Sequence, residues 1–160
     1  MKIALHAVGR MKAGPEKELA DRYLERFARV GPAIGLEFAG VTETPESRAR
    51  DADTRRREEA QKLRAQLGDG TALILLDEKG RNLTSEAFSD EIAALRDAGQ
   101  RTLLLAIGGA DGHDPALRGG GARLVSFGAA TWPHQMVRIM LAEQLYRVST
   151  ILSGHPYHRA

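Results

Sequence analysis

The sequence of 160 residues contains no cysteine. That absence excludes a disulfide framework, a thiolate zinc site, an iron–sulfur cluster and a cysteine nucleophile. No apolar run approaches the roughly 20 residues that a membrane-spanning helix needs. The opening segment, MKIALHAVGRMK, has too short an apolar stretch for a signal peptide and no small-residue cleavage site. We therefore expect a cytoplasmic protein that does not associate with membranes.

Neither sign of charge dominates the chain. It has 23 Lys and Arg against 21 Asp and Glu, a net charge of +2, so the total charge says little about partners. Basic residues exceed acidic ones locally between positions 48 and 64, and the ordinary interpretation is a solvated helix surface. The apolar fraction of 42% is too high for disorder, and the length predicts a single domain over residues 1–160.

Several catalytic motifs are also missing. The chain has no G-x-G-x-x-G, no G-x-x-x-x-G-K-[ST] and no G-x-S-x-G. A dinucleotide or P-loop site would lack its usual phosphate cradle, and a serine hydrolase would lack its nucleophile turn. His134, His155 and His158 do not predict a metal site, because Pro156 breaks their spacing and no carboxylate lies nearby in sequence.

The pattern of apolar residues predicts an α/β fold. Apolar runs predict strands over residues 3–8, 33–41, 71–76, 102–107 and 124–127, and helical spacing predicts helices over 15–30, 47–67, 85–99 and 134–152. Runs that are apolar on both faces and alternate with helices are typical of a mostly parallel sheet with helices on both faces.

Three of the predicted strands end at Leu76, Ile107 and Phe127, and each is followed by a segment suited to ligand binding. Ligands of open α/β sheets lie beyond the carboxyl ends of strands. The segment GGADG after Ile107 either brings bare backbone to a ligand or makes a tight turn without one. The loop after Phe127 either grips a flat ring beneath Trp132, or Trp132 is a buried structural residue.

The C-terminal segment, HPYHR, is dense in side chains that accept protons, stack on bases and bind phosphate. Its last three residues, Tyr157, His158 and Arg159, are the candidates for chemistry. Such a cluster at a terminus is less often structural.

Taken together, IGGADG, LVSFGAATWPHQMVRIMLAEQLYRVSTI and the ending HPYHR resemble the bacterial ribosomal large-subunit pseudouridine N3-methyltransferases, a family of the SPOUT class. The resemblance covers essentially the whole chain and is densest from residue 71 to 159. It implies an α/β fold with a C-terminal trefoil knot, an exception to the rule that folds are unknotted. The knot would lie between about residues 73 and 152.

The resemblance also implies a cofactor and a reaction. The methyl donor would be S-adenosylmethionine (SAM), with no metal, and the product would carry the methyl group on N3 of a pseudouridine in a hairpin loop of 23S rRNA, on assembled ribosomes. The SAM-binding residues carried over from the family are Leu76, Gly108, Gly109, Phe127, Gly128, Ala129, Ala130, Thr131 and Trp132.

The catalytic residues implied are those of the C-terminal segment. We expect His158 to accept or relay the N3 proton, Arg159 to bind phosphate or the developing oxyanion, and Tyr157 to stack on or hydrogen-bond to the base. The family is homodimeric, so the tail of one subunit could face the SAM of the other. Arg10, Lys12 and the run 55–57 would then contact the rRNA backbone. Neither DNA nor a membrane is expected as a partner.

Three other interpretations stay open at this point. The first is a SPOUT methyltransferase that acts on tRNA, whose cofactor pocket would look the same. The second is a non-catalytic RNA- or ribosome-binding module that kept the fold. The third is a Rossmann-like nucleotide binder, which the missing phosphate motifs disfavour.

Overall fold

The computed structural model of the chain describes residues 1–158. The strands are β1 (Lys2–Val8), β2 (Glu37–Thr44), β3 (Thr71–Asn82), β4 (Thr102–Ile107) and β5 (Arg123–Ser126). The helices are α1 (Pro15–Val30), α2 (Ala52–Arg64), α3 (Ser85–Asp97), α4 (Pro115–Arg118) and α5 (His134–Leu152), and a short 3₁₀ helix spans Gly31–Ile34. No helix among these residues is both long and apolar enough to cross a membrane.

The five strands form one sheet in the order β2-β1-β4-β3-β5, and every neighbouring pair is parallel. Because successive side chains of a strand point to opposite faces, both faces need cover. Ile3, Leu105 and Ile74 face α1, α3 and α5, whereas Leu104 and Leu75 face α2 and α4. The predicted parallel sheet with helices on both faces is confirmed. The trefoil knot stays a prediction.

Capping side chains and a proline mark the first residues of three helices. The Asp51 carboxylate accepts a hydrogen bond from the amide of Thr54 at 2.8 Å and caps α2, and Thr84 caps α3 by accepting from the amide of Ala87 at 3.1 Å. Proline occupies the start of α1, where its missing N–H has no consequence. Helix α2 is shorter than predicted, since its N-cap is Asp51 and the preceding residues are irregular.

Two strand predictions are corrected. Residues 33–34 belong to the 3₁₀ helix, so β2 begins later than expected, at Glu37. More importantly, the polar segment after Leu76 is not a loop, because β3 continues to Asn82. Its pairing with β5 shifts register between Leu76 and Arg81 and then resumes. The polar side chains of this extension gave no strand signal in the sequence.

Candidate active site

A cavity of about 280 Å³ lies beside the carboxyl ends of β4 and β5 and the middle of β3. Its position follows from the fold, because parallel strands deliver their carboxyl ends to one edge of the sheet. The walls come from β3, the residues after β4, the loop after β5 and the first turn of α5. The lining residues are Leu76, Asp77, Glu78, Ile107, Gly108, Gly109, Ala110, Asp111, Gly112, Arg118, Val125, Ser126, Phe127, Gly128, Ala130, Thr131, Trp132, His134 and Val137.

The structure brings the expected cofactor-binding residues together. Of the nine residues carried over from the family, eight line the cavity, and Ala129 does not. Leu76, Ile107 and Phe127, which are separated by many residues in sequence, border the same space. That these residues bind a cofactor stays a prediction, but the predicted convergence of the three segments is observed.

The glycine turn, residues 108–112, forms one wall of the cavity. It closes on itself through an isolated antiparallel bridge, in which the Gly112 amide donates to the Gly109 carbonyl at 2.9 Å. Gly112 has φ +76°, a conformation that other residues seldom adopt. A Cβ on Gly109 would lie 2.7 Å from Oε2 of Glu59, so this position admits only glycine unless Glu59 moves. The turn therefore presents bare backbone to the cavity.

The loop after β5 forms the opposite wall. Ser126 Oγ donates to the Gly128 carbonyl at 3.0 Å, and the Trp132 indole N–H donates to the Phe127 carbonyl at 3.2 Å. The Trp132 side chain is 42% exposed, which rules out the interpretation of a buried structural tryptophan. Gly128 has φ +104°, and an ordinary residue would force this loop into another path.

Charged residues that the sequence analysis overlooked fix the third wall. Asp77 is buried and accepts from Nε of Arg118 at 2.8 Å, which ties β3 to α4. The second carboxylate oxygen of Asp77 accepts from the amide of Lys79 at 2.9 Å. Arg118 and Asp77 are 41 positions apart, and no spacing pattern marks such a pair.

His113 seemed unremarkable in the sequence, yet its buried ring joins two walls of the cavity. Nε2 lies 3.1 Å from the carbonyl oxygen of Leu76, and the ring packs against the place where a Cβ of Gly108 would be. Burial lowers the pKa of His113 below its ordinary value of 6.5. At neutral pH the ring is uncharged and donates through Nε2–H to that carbonyl.

A second buried histidine, His6, together with His113, makes the stability of the protein depend on pH. Burial also lowers the pKa of His6, whose Nδ1 lies 2.7 Å from Nε2 of Gln66. In the unfolded chain both histidines bind protons as the pH falls below 6.5, whereas in the folded protein their lowered pKa values delay protonation to a lower pH. The stability these groups contribute is therefore complete above pH 6.5 and declines as the pH falls.

We expect the free energy of unfolding in urea to be lower at pH 5.5 than at pH 7.5. The slope should approach at most about 1.4 kcal/mol per pH unit for each histidine. The variant His113→Gln should show a shallower slope than the parent protein. Equal free energies of unfolding at the two pH values would contradict the assignment of these rings as neutral and buried.

Helix α2 contacts the glycine turn from outside the cavity. Arg55 holds the Asp111 carboxylate in a fork, with Nε to Oδ2 at 2.7 Å and Nη2 to Oδ1 at 3.0 Å. Arg56 Nη1 donates to the Asp111 carbonyl at 3.3 Å and its other terminal nitrogen pairs with Asp53. The hydrogen bond from Arg55 holds the pKa of Asp111 below its usual range. The Arg55 guanidinium and the terminal nitrogens of Arg56 are thus engaged by residues of the same chain. The expectation that residues 55–57 contact the rRNA backbone stays a prediction.

The C-terminal tail packs elsewhere. The Tyr157 hydroxyl lies 3.2 Å from Oε1 of Glu143, and its ring lies 4.8 Å from the ring of Tyr146, centroid to centroid. His158 Nε2 lies 2.8 Å from Oε1 of Glu86 on α3. Neither Tyr157 nor His158 lines the cavity of its own chain. The third expected catalytic residue, Arg159, lies outside the described residues.

The surroundings of Tyr157 determine its protonation state. Burial, and then the neighbouring Tyr23 and Glu143, raise the pKa of Tyr157 to about 12. At neutral pH the phenol is therefore protonated and donates to the Glu143 carboxylate. In this arrangement Tyr157 serves as a hydrogen-bond donor or a stacking surface, and it does not serve as a base.

Comparison with known proteins identifies the chain. A family model described as "Predicted SPOUT methyltransferase" matches residues 1–158. The chain belongs to the SPOUT methyltransferase family. As a SPOUT methyltransferase it is an enzyme, and the interpretation as a Rossmann-like nucleotide binder is set aside.

Individual relatives match over the full length. A protein of Mesorhizobium japonicum named "Ribosomal RNA large subunit methyltransferase H" is 66% identical over 160 residues, which is 100% of both chains. A protein of Rhizobium meliloti with the same name is 62% identical, again over 100% of both chains. Among solved structures, the SpoU methyltransferase AviRb of Streptomyces viridochromogenes, in complex with the cofactor AdoMet, is similar with a TM-score of 0.38 and 14% identity. That likeness covers 92% of this chain and 59% of the other.

Proposed function

We propose that this SPOUT methyltransferase transfers the methyl group of SAM to N3 of a pseudouridine in a hairpin loop of 23S rRNA, on assembled ribosomes in the cytoplasm. The observation that carries the proposal is the single cavity onto which the segments after Leu76, Ile107 and Phe127 converge. The name shared by the full-length relatives supports an rRNA substrate of the large subunit. The choice of pseudouridine N3 rests on the resemblance of the sequence motifs.

The cavity suits SAM in size and charge. Its volume of about 280 Å³ is close to the lower end of the roughly 300–1,000 Å³ typical of small-molecule pockets. Three carboxylates, those of Asp77, Glu78 and Asp111, line it. Asp77 pairs with Arg118 and Asp111 pairs with Arg55. Glu78 adds a negative charge beyond these two pairs, which favours a sulfonium cation. When bound, SAM supplies an activated methyl group.

The bare backbone of two walls would hold the cofactor. Gly108 and Gly109 expose peptide groups without side chains, and the loop from Phe127 to Trp132 faces them across the cavity. Peptide N–H and C=O groups can bind an adenine edge and ribose hydroxyls. The Ser126 hydroxyl and the Trp132 indole N–H donate to carbonyls of this loop, so both side chains help to hold its conformation.

The remaining requirement is to remove the proton from N3, because N3 attacks the methyl group only as the anion. We assign this role to His158, as acceptor or relay. Arg159 would bind phosphate or stabilise the oxyanion that forms on the base. Tyr157, which is protonated, would stack on the base or donate a hydrogen bond to it.

We propose further that the enzyme works as a homodimer, with the tail of one subunit facing the SAM of the other. Tyr157 and His158 lie away from the cavity of their own chain, so one chain does not assemble both parts of the site. Trp132 and Met136 are 42% and 39% exposed at the cavity and on α5, as suits a surface that a second subunit covers. Arg10 and Lys12, which are exposed, and the run 55–57 stay the candidates for rRNA phosphate contacts.

The proposed function is tested with labelled SAM and ribosomes from a strain that lacks the enzyme. We expect label in 23S rRNA, on a nucleoside that digestion identifies as N3-methylpseudouridine, and no label in free tRNA. Label in tRNA instead would favour the other SPOUT substrate class. Failure to bind SAM even at millimolar concentration would favour a non-catalytic RNA-binding module.

A further inference from the structure

We propose that Arg55 of α2 is a positioning residue for the methyl donor: by holding Asp111 it fixes the glycine turn in the conformation that accepts SAM. This inference rests on the proposed function. It gives a role to the charged helix α2, which the sequence motifs of the cofactor site do not include. The cavity itself contains no residue of α2.

The first argument is the geometry of the Arg55 side chain. Two of its nitrogens form a fork with the Asp111 carboxylate, and the third, Nη1, donates to the carbonyls of Ala49 and Arg50 at 3.0 Å each. All three nitrogens of the guanidinium are thus engaged. The group joins the glycine turn to the segment that precedes α2, and the planar fork fits a carboxylate as an ammonium does not.

The second argument is that α2 contacts the turn at a further point. Glu59 lies four residues after Arg55, hence on the same face of the helix. It is buried, and its Oε1 accepts from the amide of Ser47 at 3.0 Å. Its other carboxylate oxygen lies against Gly109, at 2.7 Å from where a Cβ would be. Asp111 and Gly109 are therefore held from one side by the same helix.

The third argument concerns the freedom of the turn without this support. Its own closure is a single hydrogen bond between Gly112 and Gly109, and glycines lose more conformational freedom on ordering than other residues. A turn that is loose in the free enzyme must be ordered when the ligand binds, which weakens binding. The Arg55 fork is present before the ligand arrives and removes that cost.

The test is a double-mutant cycle on SAM affinity with the full-length protein. Calorimetry measures the SAM dissociation constant of the parent, of Arg55→Ala, of Asp111→Ala and of the double variant. We expect each single change to raise the dissociation constant about tenfold, since a charged hydrogen-bonded pair is lost. The double variant should bind no worse than Asp111→Ala alone, because Arg55→Ala then removes a contact that is already lost.

Steady-state kinetics separate this role from a merely structural one. We expect the KM for SAM to rise in Arg55→Ala while the KM for ribosomes stays unchanged, and Arg55→Lys to recover part of the SAM affinity. Arg64→Ala, an exposed arginine on the last turn of the same helix, should behave as the parent. Parental SAM affinity in Arg55→Ala would overturn the inference, whether or not its KM for ribosomes rises. Failure of the parent itself to bind SAM would instead overturn the proposed function.

Discussion

Gly80→Ala is expected to destabilise the protein by about 3 kcal/mol, the effect of forcing an atom into a fully packed space. Gly80 lies within the shift in register between Leu76 and Arg81, where β3 passes β5. A Cβ there would lie 2.5 Å from the carbonyl carbon of Val125 and 2.6 Å from its nitrogen. Both atoms are backbone, so no side chain can rotate away and the strand itself must move.

Urea unfolding monitored by circular dichroism measures this loss. Gly68→Ala is the matched control, because nothing lies within 4 Å of a Cβ at that position and its φ is not positive. The control should change the free energy of unfolding by less than about 0.5 kcal/mol. Equal stability of the two variants would show that the close passage of β3 and β5 is absent from the protein in solution.

His158→Ala is expected to lower kcat for methyl transfer about 100-fold, the smaller of the usual effects of losing a general base. SAM affinity should change little, since His158 does not line the cavity of its own chain. His155→Ala is the matched control in the same tail and should keep most of the parental rate. A parental kcat in His158→Ala would show that the N3 proton leaves by another route.

The same variant tests whether the site is shared between subunits. His158→Ala and Gly128→Val are each impaired when assayed at a SAM concentration well below the dissociation constant of the Gly128→Val protein. Their co-expression should restore activity if a tail serves the partner's cavity. With random pairing, half of the dimers are mixed and one site in each mixed dimer is intact, so about a quarter of the parental activity should return. No recovery in a confirmed mixed dimer would place each tail at its own cavity.

The fold was largely predictable because buried helices and strands have characteristic patterns of apolar residues in the sequence. The runs 71–76 and 102–107 are apolar on both faces, and the structure buries both faces. The second half of β3 was missed because its side chains are polar, although the first of them, Asp77, is buried. Helix α4 was missed because it has a single turn, capped by Asp114, within a glycine-rich segment.

The candidate site also has a part that the sequence predicts and a part that it does not. Its backbone walls were predictable from glycines that follow strand ends and from family motifs. The ion pairs that support them were not, because Arg55 meets Asp111 across 56 positions and Arg118 meets Asp77 across 41. Such pairs depend on which strands and helices become neighbours, which no local pattern specifies.

The most direct test of the account is the titration of SAM into the parent protein and into two glycine variants. Gly128 and Gly121 both have positive φ, +104° and +87°, and nothing lies within 4 Å of a Cβ at either. They differ in that Gly128 lines the cavity and Gly121 does not. Valine at either position imposes similar backbone strain. We predict that Gly128→Val loses SAM binding by at least about tenfold, while Gly121→Val binds as the parent does. Equal affinity in all three proteins would contradict the claim that the segments after Leu76, Ile107 and Phe127 form the SAM site.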